Sequence, residues 1–133
     1  NVINKLSLTS LRRCGLSRMK ALGLKDISKK MITKEFNPSL LKKMNDEDAI
    51  TYLSSLRQIA VWSGMMILIF TLNRPNIWPI QDIGLLRAIS KNYNKKYLPP
   101  PKFISLLKKK FSPYCSVATW YLWRSIDPEP IQY

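Results

Sequence analysis

LSSLRQIAVWSGMMILIF, residues 53–70, and NRPNIWPIQDIGLLR, residues 73–87, form the stretch that organises this chain. A tight junction follows Leu56, and an apolar run then extends from Trp62 to about Leu72. No side chain between Gln58 and Asn73 carries a charge, yet this run is shorter than the ~20 apolar residues needed to cross a bilayer. It is therefore expected to be a buried helix. Asn73-Arg74-Pro75-Asn76 supplies a turn, and Pro79-Ile80-Gln81-Asp82 opens a further helix carrying Ile83, Leu86 and Ile89 on one side.

Outward from this centre the pattern stays helical. β-Branched residues never alternate cleanly with polar ones, so no strand is expected. Upstream, a short helix through Leu8–Cys14 stops at Gly15, and Ser17 caps a second helix with Ala21, Leu24, Ile27 and Met31 on its apolar face. Pro38–Lys43 makes a turn or two. Asp46-Glu47-Asp48 places three acids at the head of the next helix, where the macrodipole favours them, and its face runs Ala49, Tyr52, Leu53, Leu56. Downstream, Tyr97–Pro101 is a rigid loop, and helices over Lys102–Phe111 and Tyr114–Arg124 flank Pro113. Asp127-Pro128-Glu129-Pro130 is expected to end the fold, giving one all-α domain over residues 1–133.

Composition narrows the chemistry. The 133 residues suffice for one compact domain, with 46% hydrophobic and 23% charged residues arguing against a disordered tail. There is no histidine, which removes His-ligated metals, Ser-His and Cys-His nucleophile pairs and imidazole acid–base catalysis. Cys14 and Cys115 lack the further ligands that a zinc or iron–sulfur site needs, so no metal and no cofactor is expected. Reduced thiols, rather than one long-range disulfide, fit a cytosolic protein. No targeting signal is evident, and a cytoplasmic, nucleoid-associated location is expected if the source is bacterial.

Twenty-two Lys and Arg against eight Asp and Glu leave a net charge of +14. The excess falls mostly in two blocks, Lys5 to Lys43 and Arg87 to Lys110. Such an imbalance points to a polyanionic partner, nucleic acid before membrane. The acids are more selective: between Ala49 and Ile126 the only carboxylate is Asp82. At the head of a Pro-led helix an aspartate is ordinarily an N-cap. The same placement fixes the carboxylate's direction, which suits electrostatic stabilisation of a developing cation, so Asp82 is the candidate for chemistry. Trp62, Trp78, Trp120 and Trp123, with Tyr114 and Tyr121, make the second half aromatic-rich. Aromatics at helical spacing usually form core, and the alternative is a stacking pocket for an extruded base.

Residues 53–70 and 73–87 resemble the helix-hairpin-helix DNA glycosylase superfamily, closest to its alkyladenine (3-methyladenine II) branch. That family reads Leu-x-x-Ile-x-Gly-Ile-Gly-Pro-Trp-Thr-Ala, then Gly-Arg-Pro-Asp-Val-x-Pro-x-Asp-Asp-Leu-Gly-Leu-x-Arg. The segment from Leu11 to Lys20 resembles the part before the hairpin. Pro113-Tyr-Cys-Ser-Val-Ala-Thr-Trp-Tyr-Leu-Trp123 resembles the closing Pro-x-Arg-Ser-x-Ala-x-x-x-x-Trp helix, so the likeness covers about residues 8–124. It implies the C-terminal portion of that helical bundle, with the hairpin at about 57–61 and the family's N-terminal helices missing before Asn1.

Position by position, the resemblance implies that Asp82 is the catalytic aspartate, stabilising an oxocarbenium-like sugar and orienting water. Trp62, Met66, Ile83 and Trp123 fall at base-pocket positions, Met66 and Ile83 replacing residues that can be aromatic there. Arg57, Gln58, Ala60 and Ser63 fall at DNA-contacting positions of the hairpin. Trp62 stands where bifunctional relatives place a Schiff-base lysine, which implies a monofunctional enzyme. The implied function is hydrolysis of the N-glycosidic bond of alkylated purines such as 3-methyladenine, by a monomer acting on double-stranded DNA and not on a membrane. The alternatives are a degenerate, non-catalytic DNA-binding module on the same scaffold and an unrelated basic helical protein bound to RNA. The departures from the pattern concern the hairpin: its two glycines are Gln58 and Ala60, and Val61 replaces the proline. A non-glycine residue at positive φ costs on the order of 1 kcal/mol, so the hairpin is expected to be strained or reshaped.

Overall fold

A computed structural model of the chain describes residues 2–127, so the Pro128–Pro130 part of the expected terminator lies outside the described residues. The elements are α1 (Val2–Lys5), α2 (Leu8–Arg13), α3 (Arg18–Ile32), a 3-10 segment (Pro38–Lys43), α4 (Asp46–Ser54), α5 (Val61–Phe70), α6 (Ile83–Asn92), α7 (Pro101–Phe111) and α8 (Cys115–Arg124). Among the described residues there is no strand. The capping chemistry explains where the helices begin. The Ser7 hydroxyl accepts from the Ser10 N–H at 3.0 Å, Ser17 from Lys20 at 3.3 Å, and the Asn45 side chain from Asp48 at 2.8 Å. The apolar helix α5 stops at Phe70, two residues short of the expected Leu72, and Asn73 takes φ +51° in the turn beyond it. Asparagine tolerates that left-handed conformation better than most side chains.

Cα packing divides the chain into two compact units, one up to Gly64 and one from Met65 onward. In the first unit, α1 and α2 pack on α3. Lys25 of α3 donates to the Asn4 and Leu6 carbonyls at 3.2 and 2.6 Å, tying down the C-terminal end of the very short α1. Leu11, Ala21, Phe36, Leu41, Ala49, Leu53 and Leu56 are its buried apolar residues. Phe36 packs against Tyr52 with ring centroids 5.2 Å apart, and the Tyr52 hydroxyl accepts from the Asn37 N–H at 2.9 Å. Those two contacts fix the break before the 3-10 segment onto α4. Met31, expected on the apolar face of α3, is 49% exposed, because the face that packs is set by Ala21 and Gly23.

The second unit has a core of Trp78, Leu85, Ala88, Ile89, Leu107, Cys115 and Leu122, with α8 packed on α6 and α7. Cys14 is exposed and Cys115 buried, and both thiols are free. Burial pushes the Cys115 thiol above its ordinary pKa, against the opposing charge of Lys108. No helix among the described residues is long and apolar enough to cross a membrane.

Candidate active site

The hairpin occupies the junction between α4 and α5. The Ile59 N–H closes a turn onto the Leu56 carbonyl at 3.1 Å, with Gln58 at its third position. Gln58 has φ +67°, so the left-handed conformation survives although the side chain there is not glycine. Ala60 is not in that region, so of the two positions only Gln58 holds a non-glycine residue at positive φ. Arg57, Gln58 and Ala60 are exposed, and Ser63 is half-buried in the first turn of α5. Gly23 in the middle of α3 determines how closely this turn can be approached. A Cβ there would stand 3.0 Å from the Arg57 carbonyl and from the Gln58 side chain. Sequence reading missed this residue, for which the one signal is a lone glycine inside a helical pattern.

Asp82 lies at the head of α6 with φ −80° and ψ 119°, the extended backbone of an N-cap. Its Oδ1 accepts the Leu85 N–H at 2.6 Å and the indole Nε1–H of Trp123 at 2.8 Å. The capping role and a fixed direction for the carboxylate therefore coincide, as its position in the sequence led one to expect. A second donor arriving from α8, 41 positions away, could not be read locally. Gly84 makes the approach of that donor feasible. A Cβ at residue 84 would lie 3.0 Å from Asp82 Oδ1 and 3.3 Å from Cδ1 and Nε1 of Trp123. A larger residue would crowd both, and the carboxylate or the indole would have to give by a few tenths of an ångström.

The segment leading into Asp82 is pinned from α8 as well. Ser116, 7% exposed, donates its hydroxyl to the Arg74 carbonyl at 2.6 Å and accepts the Ile77 N–H at 2.9 Å, while its own N–H reaches the Pro75 carbonyl at 2.9 Å. Three bonds thus hold residues 74–77, from which the chain turns through Pro79 into the cap; the Asp82 N–H donates to the Pro79 carbonyl at 2.9 Å. Ser116 also escaped the sequence reading.

Of the other expected pocket residues, Trp123 is the one brought against Asp82. Ile83, the first residue of α6, is 57% exposed, and Met66 is half-buried on α5. Trp62 is 43% exposed at the start of α5. The aromatic-rich half is not uniformly core: Trp78 is buried, but Tyr114, Trp120 and Tyr121 all face solvent substantially. Cys115, at the arginine position of the closing-helix motif, is fully buried.

Comparison with known proteins places these features in context. No family model matches the sequence. A Bacillus subtilis protein, YfjP, assigned to the DNA-3-methyladenine glycosylases, is 35% identical over 125 residues, covering 94% of this chain and 44% of that protein. The 3-methyladenine DNA glycosylase of Schizosaccharomyces pombe, solved in complex with abasic DNA, superposes with a TM-score of 0.83 at 24% identity, over 98% of this chain and 64% of the other. The 3-methyladenine DNA-glycosylase of Archaeoglobus fulgidus gives a TM-score of 0.72 at 30% identity, over 92% and 40%. The chain spans about half the length of the curated relatives it matches, with shares of 44%, 58% and 54%.

Proposed function

We propose that this chain, which belongs to the helix-hairpin-helix DNA glycosylase superfamily, carries the catalytic carboxylate of a monofunctional N-glycosyl hydrolase for alkylated purines in duplex DNA. The observation that carries this reading is the Asp82 carboxylate at the head of α6, held by the Leu85 N–H and the Trp123 indole and set beside Gly84, where a Cβ would crowd both side chains. As the bond between C1′ and the purine nitrogen breaks, the electron pair moves into the base and positive charge develops on the sugar. A carboxylate whose direction is already set stabilises that charge without reorganising during the reaction. A purine alkylated on a ring nitrogen is already cationic and leaves as a neutral base, so no general acid is required. The absence of histidine fits that demand. Water then adds to C1′, and its proton passes to the Asp82 carboxylate, which returns it to solvent.

DNA would be gripped through the exposed hairpin, Arg57 to Ala60, with Ser63 and the first turn of α5, and through the two basic blocks. Backbone N–H groups at a turn and at a helix N-terminus suit phosphate oxygens, and the +14 charge supplies the long-range attraction. Within the second unit, Trp123 beside Asp82 offers an aromatic face for an extruded base.

The test is incubation of the full chain with duplex DNA carrying 3-methyladenine or 7-methylguanine. Free methylated base should accumulate while the abasic strand stays intact, and borohydride should trap no covalent complex, because an indole at residue 62 cannot form a Schiff base. Retained DNA binding with no base released would favour the non-catalytic module instead. Strand cleavage accompanied by a trapped adduct would overturn the monofunctional assignment.

A further inference from the structure

We infer that Phe70 is a positioning residue for Asp82, acting through Trp123; the inference rests on the catalytic reading of Asp82 given above. Phe70 is the last residue of α5 and is 60% exposed, so it contributes little to a core. Its ring lies nearly parallel to that of Trp123, with an interplanar angle of 16° and centroids 6.0 Å apart. Trp123 is itself only partly buried. Yet the indole plane decides whether Nε1–H points at Asp82 Oδ1, where the donor now sits at 2.8 Å.

The consequence follows from geometry. An N–H···O bond weakens steeply when the donor swings away from linearity. A rotation of the indole carries Nε1–H off Oδ1, and Gly84, which lacks the Cβ that would stand 3.3 Å from Cδ1 and Nε1, does little to block it. Phe70 covers a face of the indole and opposes that rotation. An aromatic pair of this kind is enough to shift a rotamer population by about three- to tenfold. Without the stack Asp82 keeps its Leu85 bond but loses, for part of the time, the donor that fixes the carboxylate from the α8 side.

The experiment follows the indole N–H of Trp123 in the 15N-labelled full chain, assigned by its disappearance in Trp123→Phe, alongside excision assays. In the parent protein this proton should exchange more slowly than the indole proton of exposed Trp120. Phe70→Ala should accelerate its exchange about three- to tenfold and lower the excision rate at saturating DNA by a similar factor, with affinity for abasic duplex unchanged. Phe70→Tyr should restore both. Exchange in Phe70→Ala as slow as in the parent overturns the inference, as does a failure of Phe70→Tyr to restore it. Faster exchange with an unaltered excision rate also overturns it, provided that Asp82→Asn abolishes excision. Normal excision by Asp82→Asn would instead overturn the proposed function, a result on which the indole measurement does not depend.

Discussion

Replacing Asp82 with asparagine is expected to slow excision of 3-methyladenine about a thousandfold while leaving the fold and the affinity for abasic DNA nearly unchanged. The amide keeps an oxygen where Oδ1 accepts the Leu85 and Trp123 N–H groups, so the cap and the tie to α8 persist. What disappears is the negative charge. A unit charge about 4 Å from a developing cation, at an effective dielectric constant of about 20, contributes about 4 kcal/mol. That corresponds to roughly three powers of ten in rate. Single-turnover kinetics on alkylated duplex measure the difference, with thermal melting as the control for folding. A loss of less than about tenfold would mean that the carboxylate acts only as a cap.

The second large effect is on stability. Ser116→Ala removes a hydroxyl that bonds two backbone groups of the segment leading into Asp82. The buried Ile77 N–H then has no hydroxyl to donate to, and the Arg74 carbonyl loses its 2.6 Å partner. Orphaning a buried backbone group costs about 1–3 kcal/mol, so the loss at Ile77 should destabilise the chain by about 1–3 kcal/mol. Against the usual total of about 5–15 kcal/mol this is a large fraction. Denaturant unfolding should show the midpoint falling at constant slope. A change under about 0.5 kcal/mol would show that the segment is held by other means. Because residues 74–77 lead directly to the cap, excision should fall as well, at temperatures where the variant is still folded.

These expectations also mark how far the sequence alone could reach. Helix starts were legible because Ser17 and Asp82 announce themselves by local chemistry, and the acids at the head of α4 complement the helix dipole. Asp82 was legible twice, as an N-cap and as the lone carboxylate in a basic stretch, and the structure gives it the cap bond together with a second donor. The hairpin was harder. The spacing located it, but the local preference of Gln opposes φ +67°, and a buried Gly23 packed against it, 35 positions earlier in the sequence, has no local signature beyond being a glycine. Ser116 shares that difficulty, and Gly84 does in part, since Trp123 reaches it from an element distant in sequence. Aromatic periodicity misled in another way: Trp120 and Tyr121 sit at helical spacing yet face solvent, because α8 buries Cys115, Thr119 and Leu122 instead.

At the centre of the account is a carboxylate that meets positive charge at the anomeric carbon, and two abasic analogues in duplex DNA interrogate that encounter directly. One carries a pyrrolidine whose ring nitrogen is protonated at the anomeric position, and the other is the neutral tetrahydrofuran of the same shape. The parent chain should bind the cationic analogue at least tenfold more tightly, and Asp82→Asn should bind the two alike. Equal affinity of the parent chain for both would contradict the account.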